Sequence, residues 1–334
     1  MGSGVAVIIV NYGTAGLAIE AVASVLERHH DGRPVTIHLV DNGSPGDDAA
    51  VLRDTHARRG WSDRVVLHLE TVNHGFGRGN NLVLTALSRL AAPPAYVFLL
   101  NPDARLDGET IALLATFLDA HPQAAAAGTT IVRPGGQAVP SAFHFPDLRS
   151  EFTSIAGLGM LARKSIPAPG SAKRQAVDWV SGAATMIRLE TLRGVGFFDP
   201  DFFLYFEETE LMLRLRRAGH SVWHVPEARV IHIAGAATGM QAGRHRSNAR
   251  PGYWYDSWRL YHLKAGGKTR ARAAALAHLA GAAVNGVLRR VRQRPSQVPD
   301  RFLTDFGRHV LRPLFLGDPY LTSDSRSAIG GDRP

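Results

Sequence analysis

The sequence predicts an α/β protein: a mostly parallel sheet with helices on both faces, followed by a helical C-terminal extension. Three observations point to it. Short β-branched apolar runs alternate with helix-length amphipathic segments through roughly the first hundred residues. Each polar cluster there follows an apolar run directly, at the carboxyl end of a strand, where open α/β sheets bind their ligands. Beyond about residue 250 the pattern changes to helical apolar stripes with basic ends.

Taken in order, Val5 to Val10 is a β-branched strand that runs into Asn11-Tyr12-Gly13. Residues 16–28 read as a helix, with Leu17, Val22, Val25 and Leu26 on one side. Val35 to Val40 is a second strand and ends in Asp41-Asn42-Gly43-Ser44. Asp41 suits either a hydrogen bond to a base or ribose, or an Asx-turn within D-N-G-S. Residues 47–59 suggest another helix, and Val65 to Leu69 a third strand. The run Asn73-His74-Gly75-Phe76-Gly77-Arg78-Gly79-Asn80-Asn81 reads as a glycine-rich loop before a helix to Leu90. Its glycines would let backbone N–H groups approach a phosphate, with Arg78 adding charge. The spacing is not the dinucleotide fingerprint. Tyr96 to Leu100 is a fourth strand, fully apolar, and Asn101-Pro102-Asp103 follows it. Asp103 there is either a hard oxygen ligand for a divalent cation shared with substrate phosphates, or part of an N-P-D turn.

Residues 133–175, rich in Pro, Gly, Ser and basic side chains, read as a long excursion toward an acceptor side. The stretch Phe198 to His232 organises the second half. Phe202, Phe203, Tyr205 and Phe206 lead into Glu207, Glu208 and Glu210. A helix carrying Leu211, Leu215 and Ala218 follows, Gly219 ends it, and a strand closes on His232. Four aromatics are more than a solvated turn needs, so they suggest a pocket wall around the carboxylates. Glu210 reads as a first-turn residue favoured by the helix dipole, and Arg214, Arg216 and Arg217 as a solvated helix face. The loop Gly235 to Asn248 is a candidate cover for a bound donor.

Composition bounds the classes. The 334 residues contain no cysteine, which excludes disulfides, thiolate metal sites and a cysteine nucleophile. No run approaches the roughly 20 apolar residues that span a bilayer. The N-terminal MGSGVAVIIVNYG shows neither basic leader nor cleavage site. A cytoplasmic protein, soluble or peripheral on the inner face of the membrane, is expected. From Arg244 onward there are 17 Lys+Arg against 6 Asp+Glu, while the rest of the chain is near neutral. A basic tail on a neutral body suits an anionic partner. No nucleic-acid motif accompanies it, so nucleic acid is not expected. Trp254 to Lys264 reads as an aromatic helix, and 270–292 as an amphipathic one with Leu276, Leu279, Ala283, Val287 and Val291 on its stripe. Residues 270–294 fit an anionic membrane surface, but packing on protein, including a homodimer through the C-terminal helices, is the favoured reading.

VAVIIVNYG, LVDNGS, NHGFGRGNN, FLLNPDARL, WVSGAATMIR, GFFDPDFFLYFEETELMLRLRRAG and PEARVIHIAG occur in that order across residues 5–240. In these motifs the chain resembles family 2 inverting glycosyltransferases of the GT-A fold, especially the rhamnosyltransferase-like branch. The resemblance implies a GT-A domain over residues 1–243 and a basic, helical extension over 244–334. It implies that Asp41 contacts the donor's base or ribose, with Asn11, Asn73, Gly75, Arg78 and Asn101 also on the donor. Asp103 would hold a divalent metal, Mg2+ or Mn2+, and His232 would be a further ligand. Asn101 stands where many relatives carry aspartate. Trp179, Gly182, Ala183 and Tyr205 would line the sugar and acceptor pocket. The family's acidic pair falls on Glu207-Glu208, with Glu208 the base and Glu207 its alternative.

The expected reaction moves rhamnose from dTDP-rhamnose to a hydroxyl of a saccharide or lipid-linked glycan in cell-surface polysaccharide synthesis. A UDP-sugar donor is the alternative, and a nucleotide-binding or nucleotidyl-transferring protein on a similar sheet is the more distant one. Metal would neutralise the leaving diphosphate, and a carboxylate would take the acceptor's proton.

Overall fold

The computed structural model describes residues 4–158, 171–233, 249–292, 296 and 298–317. The chain divides into two compact units, one of residues 1–145 with 163–244, the other of 146–162 with 245–334.

In chain order the elements are β1 (Val5–Asn11), α1 (Ala15–Leu26), β2 (Val35–Asn42), α2 (Asp48–Arg58), β3 (Val65–Glu70) and α3 (Phe76–Ser88). Next come β4 (Tyr96–Leu100), β5 (Ala104–Leu106), α4 (Thr110–Ala120), β6 (Ala124–Val132), β7 (Ala138–Val139), β8 (Ala142–Phe143) and α5 (Leu148–Ala156). After these follow β9 (Gln175–Val177), β10 (Trp179–Val180), β11 (Ala184–Arg188), α6 (Leu189–Val195), α7 (Glu207–Arg217) and β12 (Ser221–His232). The last are α8 (Gly252–Arg292), α9 (Phe302–Phe306) and a π-helical stretch Gly307–Leu316.

The first unit is built on one sheet in the order β3-β2-β1-β4-β11-β6-β12-β5. β1, β2, β3 and β4 pair in parallel, as do β6 and β12, while β11 runs antiparallel between β4 and β6. All seven residues of β1 are buried. A strand covered on both faces must be apolar throughout, which is why VAVIIV does not alternate. Two apolar layers flank the sheet: Val7, Ile9, Leu39 and Phe98 point to one, Ile8, Val40, Val97 and Leu99 to the other.

Several elements were not legible. β6 reads AAAAGTTIV, an alanine run that by propensity would favour helix. It is a strand because it is paired on both sides, antiparallel to β11 and parallel to β12; β10 passes close over it, where a Cβ on Gly128 would lie 2.5 Å from Val180. The excursion 133–175 carries short strands and α5, and its residues 159–170 lie outside those described. So does the loop 235–248 that was expected to cover a donor. The glycine-rich loop is shorter than expected, because α3 begins at Phe76 and takes Gly77 and Gly79 into its first turns.

In the second unit, α5 opens with a reciprocal cap. Asp147 accepts from the Ser150 N–H at 2.7 Å, and Ser150 Oγ accepts from the Asp147 N–H at 2.8 Å. Glu151 then enters the core, where its carboxylate accepts from Trp258 Nε1 at 3.0 Å. It also bonds His262 Nε2 at 3.2 Å and His278 Nδ1 at 3.0 Å. α8 is two helices joined across Gly266 and Gly267, where the backbone leaves helical geometry. By length and composition alone its span Gly252–Val291 is long and apolar enough to cross a membrane, although 33% of its most apolar window is buried within the protein.

Candidate active site

The site residues converge along the carboxyl ends of β2, β1 and β4, which lie side by side. Asn11 closes β1 and is fully buried; its Nδ2 donates to Asp41 Oδ1 at 3.0 Å and to Asp48 Oδ1 at 3.2 Å. Asp41 also accepts from Ser44 Oγ at 2.6 Å and from the Ser44 N–H at 3.3 Å, so the Asx-turn forms. Ser44 Oγ in turn accepts from the Gly13 N–H at 2.9 Å. Asp48 Oδ1 accepts from the Ala15 N–H at 2.7 Å, fixing the start of α1. Sequence reasoning gave Ser44 and Asp48 no site role; three acidic or hydroxyl residues in the seven positions after Asp41 were the available signal.

Next to this network, buried Asn42 holds the turn that precedes α3. Its Nδ2 donates to Asn73 Oδ1 at 3.0 Å and to the Gly75 carbonyl at 3.2 Å, and its Oδ1 accepts from the His74 N–H at 3.2 Å. Asn73 Oδ1 also accepts from the Gly75 N–H at 2.9 Å. Asn73 therefore shapes the turn through its own side chain. Gly75 has φ +77°, and a Cβ on it would lie 2.0 Å from the Phe203 carbonyl oxygen. That carbonyl accepts from the Phe76 N–H at 3.1 Å. The glycine is thus required by a close backbone approach. Gly77 and Gly79 serve packing: Cβ atoms there would meet Phe198 and Val10 at 3.0 Å. Arg78 Nε donates to the His74 carbonyl at 2.7 Å.

The loop after β4 meets the end of β12. His232 is paired with Ala104 in the register of β5 on β12, so the residue before Ala104 lies beside it. Asp103, 5% exposed, has Oδ1 2.9 Å from His232 Nε2, and the Ile233 N–H donates to the Asp103 carbonyl at 3.1 Å. Asn101 Nδ2 is 3.5 Å from the same imidazole nitrogen, and the Asn101 N–H donates to the Ala183 carbonyl at 2.9 Å. Beside Ala183, a Cβ on Gly182 would lie 3.5 Å from Glu208 Cβ. One short backbone segment therefore touches both groups: Ala183 bonds Asn101, beside the Asp103–His232 pair, and Gly182 packs against Glu208.

The carboxylates themselves are set by a strained entry. Tyr205 and Phe206 have φ +72° and +67°, consecutive left-handed conformations without a glycine. They turn the chain so that α7 starts at Glu207. Glu207 is buried, Glu208 half-buried, and Oε2 of each is enclosed with no hydrogen-bond partner among the described residues. Burial, then repulsion from Glu208, pushes the Glu207 carboxyl well above its ordinary value; burial also raises that of Glu208.

Arg214 is not on a solvated face. It donates to the carbonyls of Val195, Gly196 and Phe197 at 2.7–2.8 Å and clamps Glu210 at 2.9 Å. Glu210, 4% exposed, is its buried partner, and together they tie α7 to the loop after α6. Trp179 donates Nε1–H to the His144 carbonyl at 2.9 Å and stacks on Phe143 at 4.4 Å, so its ring is held by the β8 side. Asp178 accepts from the Phe145 N–H at 3.0 Å.

Among the described residues, no group of three or more His, Asp or Glu side chains forms a metal site. Asp103 and His232 nevertheless fit a divalent cation as two of its ligands. Their donor atoms are 2.9 Å apart, close to the separation of cis ligands in an octahedron with bonds of about 2.1 Å. Mg2+ and Mn2+ take such oxygen and imidazole donors and leave other positions to substrate phosphate and water.

Residues 3–287 match the glycosyltransferase-like family 2. The N-acetylglucosaminyl-diphospho-decaprenol L-rhamnosyltransferase of Mycobacterium tuberculosis is 29% identical over 226 residues, which cover 64% of this chain and 71% of that protein. The rhamnosyltransferase WbbL of Escherichia coli is 28% identical over 165 residues, 48% of this chain and 61% of that protein. The fold is similar to that of a Pyrobaculum calidifontis mannosyltransferase solved with GDP-Man and Mn2+. The TM-score is 0.53 at 16% identity, covering 86% of this chain and 75% of that one. GalNAc-T7, solved with UDP, GalNAc and Mn2+, gives a TM-score of 0.55 at 14% identity over 94% of this chain and 58% of that one. The strand order, the polar residues at the strand ends and the family match agree: this chain belongs to the glycosyltransferase-like family 2 and is a GT-A-type glycosyltransferase.

Proposed function

We propose that this enzyme transfers rhamnose, with inversion, from a nucleotide-diphosphate donor, dTDP-rhamnose, to a hydroxyl of a lipid-linked saccharide on the cytoplasmic side of the membrane. The observation that supports the reading is that one backbone segment, Gly182-Ala183, packs against Glu208 and bonds Asn101 beside the Asp103–His232 pair. The names of the relatives, both rhamnosyltransferases, support the sugar, and the decaprenol-linked acceptor of the first supports the acceptor class.

In this reading the Asn11–Asp41–Ser44 network receives the nucleoside, and the turn at Asn73 to Gly75 borders the diphosphate. Asp103 and His232 hold a divalent cation, which when bound neutralises charge on the leaving diphosphate; the Mn2+ in the two solved GT-A-like proteins supports that assignment. Trp179, Gly182, Ala183 and Tyr205 border the sugar and acceptor. Glu208 takes the acceptor hydroxyl's proton. The freed oxygen bonds to the anomeric carbon from the face opposite the phosphate, and the carbon–phosphate oxygen bond breaks with its electron pair leaving on the nucleoside diphosphate. Inversion follows from that in-line geometry. The raised carboxyl of Glu208 makes its carboxylate a stronger base than that of an ordinary glutamate.

The test is a donor screen by thermal shift with and without Mn2+, followed by transfer to a polyprenyl-diphosphate-linked N-acetylglucosamine. Metal-dependent stabilisation by dTDP-rhamnose above UDP-sugars, with a rhamnosylated product, is expected. Stabilisation by a UDP-sugar alone would replace the donor assignment, and nucleotide binding indifferent to the sugar would end the transferase assignment for this donor class.

A further inference from the structure

After the Gly267 break, α8 turns its larger aliphatic side chains outward. Along α8 after the Gly267 break, Ala271, Ala274, His278, Gly281 and Asn285 are buried, at spacings of three and four that define one helix face. That face is closed: a Cβ on Gly281 would lie 2.4 Å from the Phe152 carbonyl of α5. The opposite face carries Leu276, Val287 and Val291, which are 56%, 60% and 76% exposed. The helix is thus small and polar inside and aliphatic outside, the reverse of an ordinary packed helix.

The patch continues onto the π-helical stretch. Phe315 is 44% and Leu316 81% exposed, and with Leu276, Leu279 and Leu311 they wall a groove of ≈ 460 Å³. Arg272 joins the two elements, donating to the Leu314 carbonyl at 3.0 Å and lying 5.3 Å from the Phe315 ring centroid. On the two elements that form the patch, α8 after its break and the π-helical stretch, the charges are of one sign, while Asp300 and Asp305 lie at α9, where Asp305 pairs with Arg301. Arg272, Arg289, Arg290, Arg308 and Arg312 are exposed, and no Asp or Glu occurs between Ser257 and Pro299.

We propose that this face docks on an anionic lipid surface, with the aliphatic stripe at the acyl boundary and the arginines on the head groups. A contiguous exposed apolar strip marks an interaction site, and arginines along its border select an anionic one. A second copy on the same face would set arginine against arginine. A membrane-spanning α8 would place buried His278 and Asn285 in hydrocarbon, against its own packing on α5. The inference does not rest on the transfer reaction, since docking is read without donor or acceptor.

The experiment is flotation of the full chain with vesicles of phosphatidylcholine alone or mixed equally with phosphatidylglycerol, at low and high salt. Binding to the anionic vesicles only, weakened by salt, is expected. Arg289→Gln with Arg290→Gln should weaken it at least about tenfold, at several-fold per arginine. Leu276→Ser with Phe315→Ser should abolish it, with circular dichroism and melting unchanged because both side chains are exposed. No binding, equal binding to neutral vesicles, or binding untouched by both double variants would overturn the proposal. So would a dimer in sedimentation that Leu276→Ser with Phe315→Ser converts to monomer, since a second copy would then cover the face. Extraction resistant to high salt and alkali would also overturn it, in favour of a spanning helix.

Discussion

His232 Nε2 lies 2.9 Å from Asp103 Oδ1, although 129 residues separate them in the chain. The contact follows from the sheet. β12 ends at His232 in register with Ala104, the first residue of β5, and the chain reaches β5 directly from the Asn101-Pro102-Asp103 turn.

If this pair holds the donor's cation, Asp103→Ala should weaken Mn2+-dependent binding of the donor nucleotide by at least about tenfold, the lower range for disturbing a metal site. Titration calorimetry with and without Mn2+ measures it. Unchanged affinity would remove Asp103 from the donor site.

Glu208→Gln should leave donor affinity unchanged and lower kcat about 10²–10⁴-fold, the usual worth of a positioned general base. Glu208→Asp should recover only part of it, because a displacement near 1 Å costs about 10²-fold. Normal turnover in Glu208→Gln would transfer the role to Glu207.

Glu207→Gln should stabilise the enzyme. Burial and the Glu208 charge hold the folded-state carboxyl of Glu207 well above 4.5. The folded state then keeps a proton that the unfolded state releases, so stability falls as pH rises from the ordinary value through the raised one. The variant lacks that loss. Its Tm should exceed the wild type's at about pH 8, with the gap closing toward about pH 4. A pH-independent difference in scanning calorimetry would contradict this origin.

Gly75→Ala should cost about 1–3 kcal/mol, the range for a strained left-handed residue. The added methyl also falls 2.0 Å from the Phe203 carbonyl, so the 203–206 segment before Glu207 must move. Activity should fall further than stability, read as kcat against the denaturation midpoint. A fully active, fully stable variant would show that the approach is dispensable.

Glu151→Ala should cost about 3–5 kcal/mol, since it leaves two histidines and an indole facing a vacated core position. Burial alone would raise this carboxyl, but hydrogen bonds and charge from His262 and His278 outweigh it and hold the group far below its ordinary value. That contribution is present above about pH 4.5 and lost as pH falls below it. The gap between variant and wild type in urea midpoints should therefore shrink in acid.

What the sequence by itself determined is the set of strands that begin the fold and the polar residues at their ends. β1 and β4 are read from unbroken apolar runs because a doubly covered strand admits little else, and β2 and β3 from β-branched residues between turn signals. Glu207, Glu208 and His232 are read from a helix start and a strand end, both local features. The tertiary structure decided which of these residues meet, since the Asp103–His232 contact depends on a register between strands more than a hundred residues apart. It also decided what local chemistry left open. Gly75 serves the approach of Phe203, Arg214 holds three carbonyls, and the alanine run of β6 is extended because β11 and β12 pair with it on both sides. The clearest case is α8, whose periodicity shows two faces without saying which is inside. Glu151, reaching His262 and His278 from α5, turns the polar face inward and leaves the leucines and valines outside.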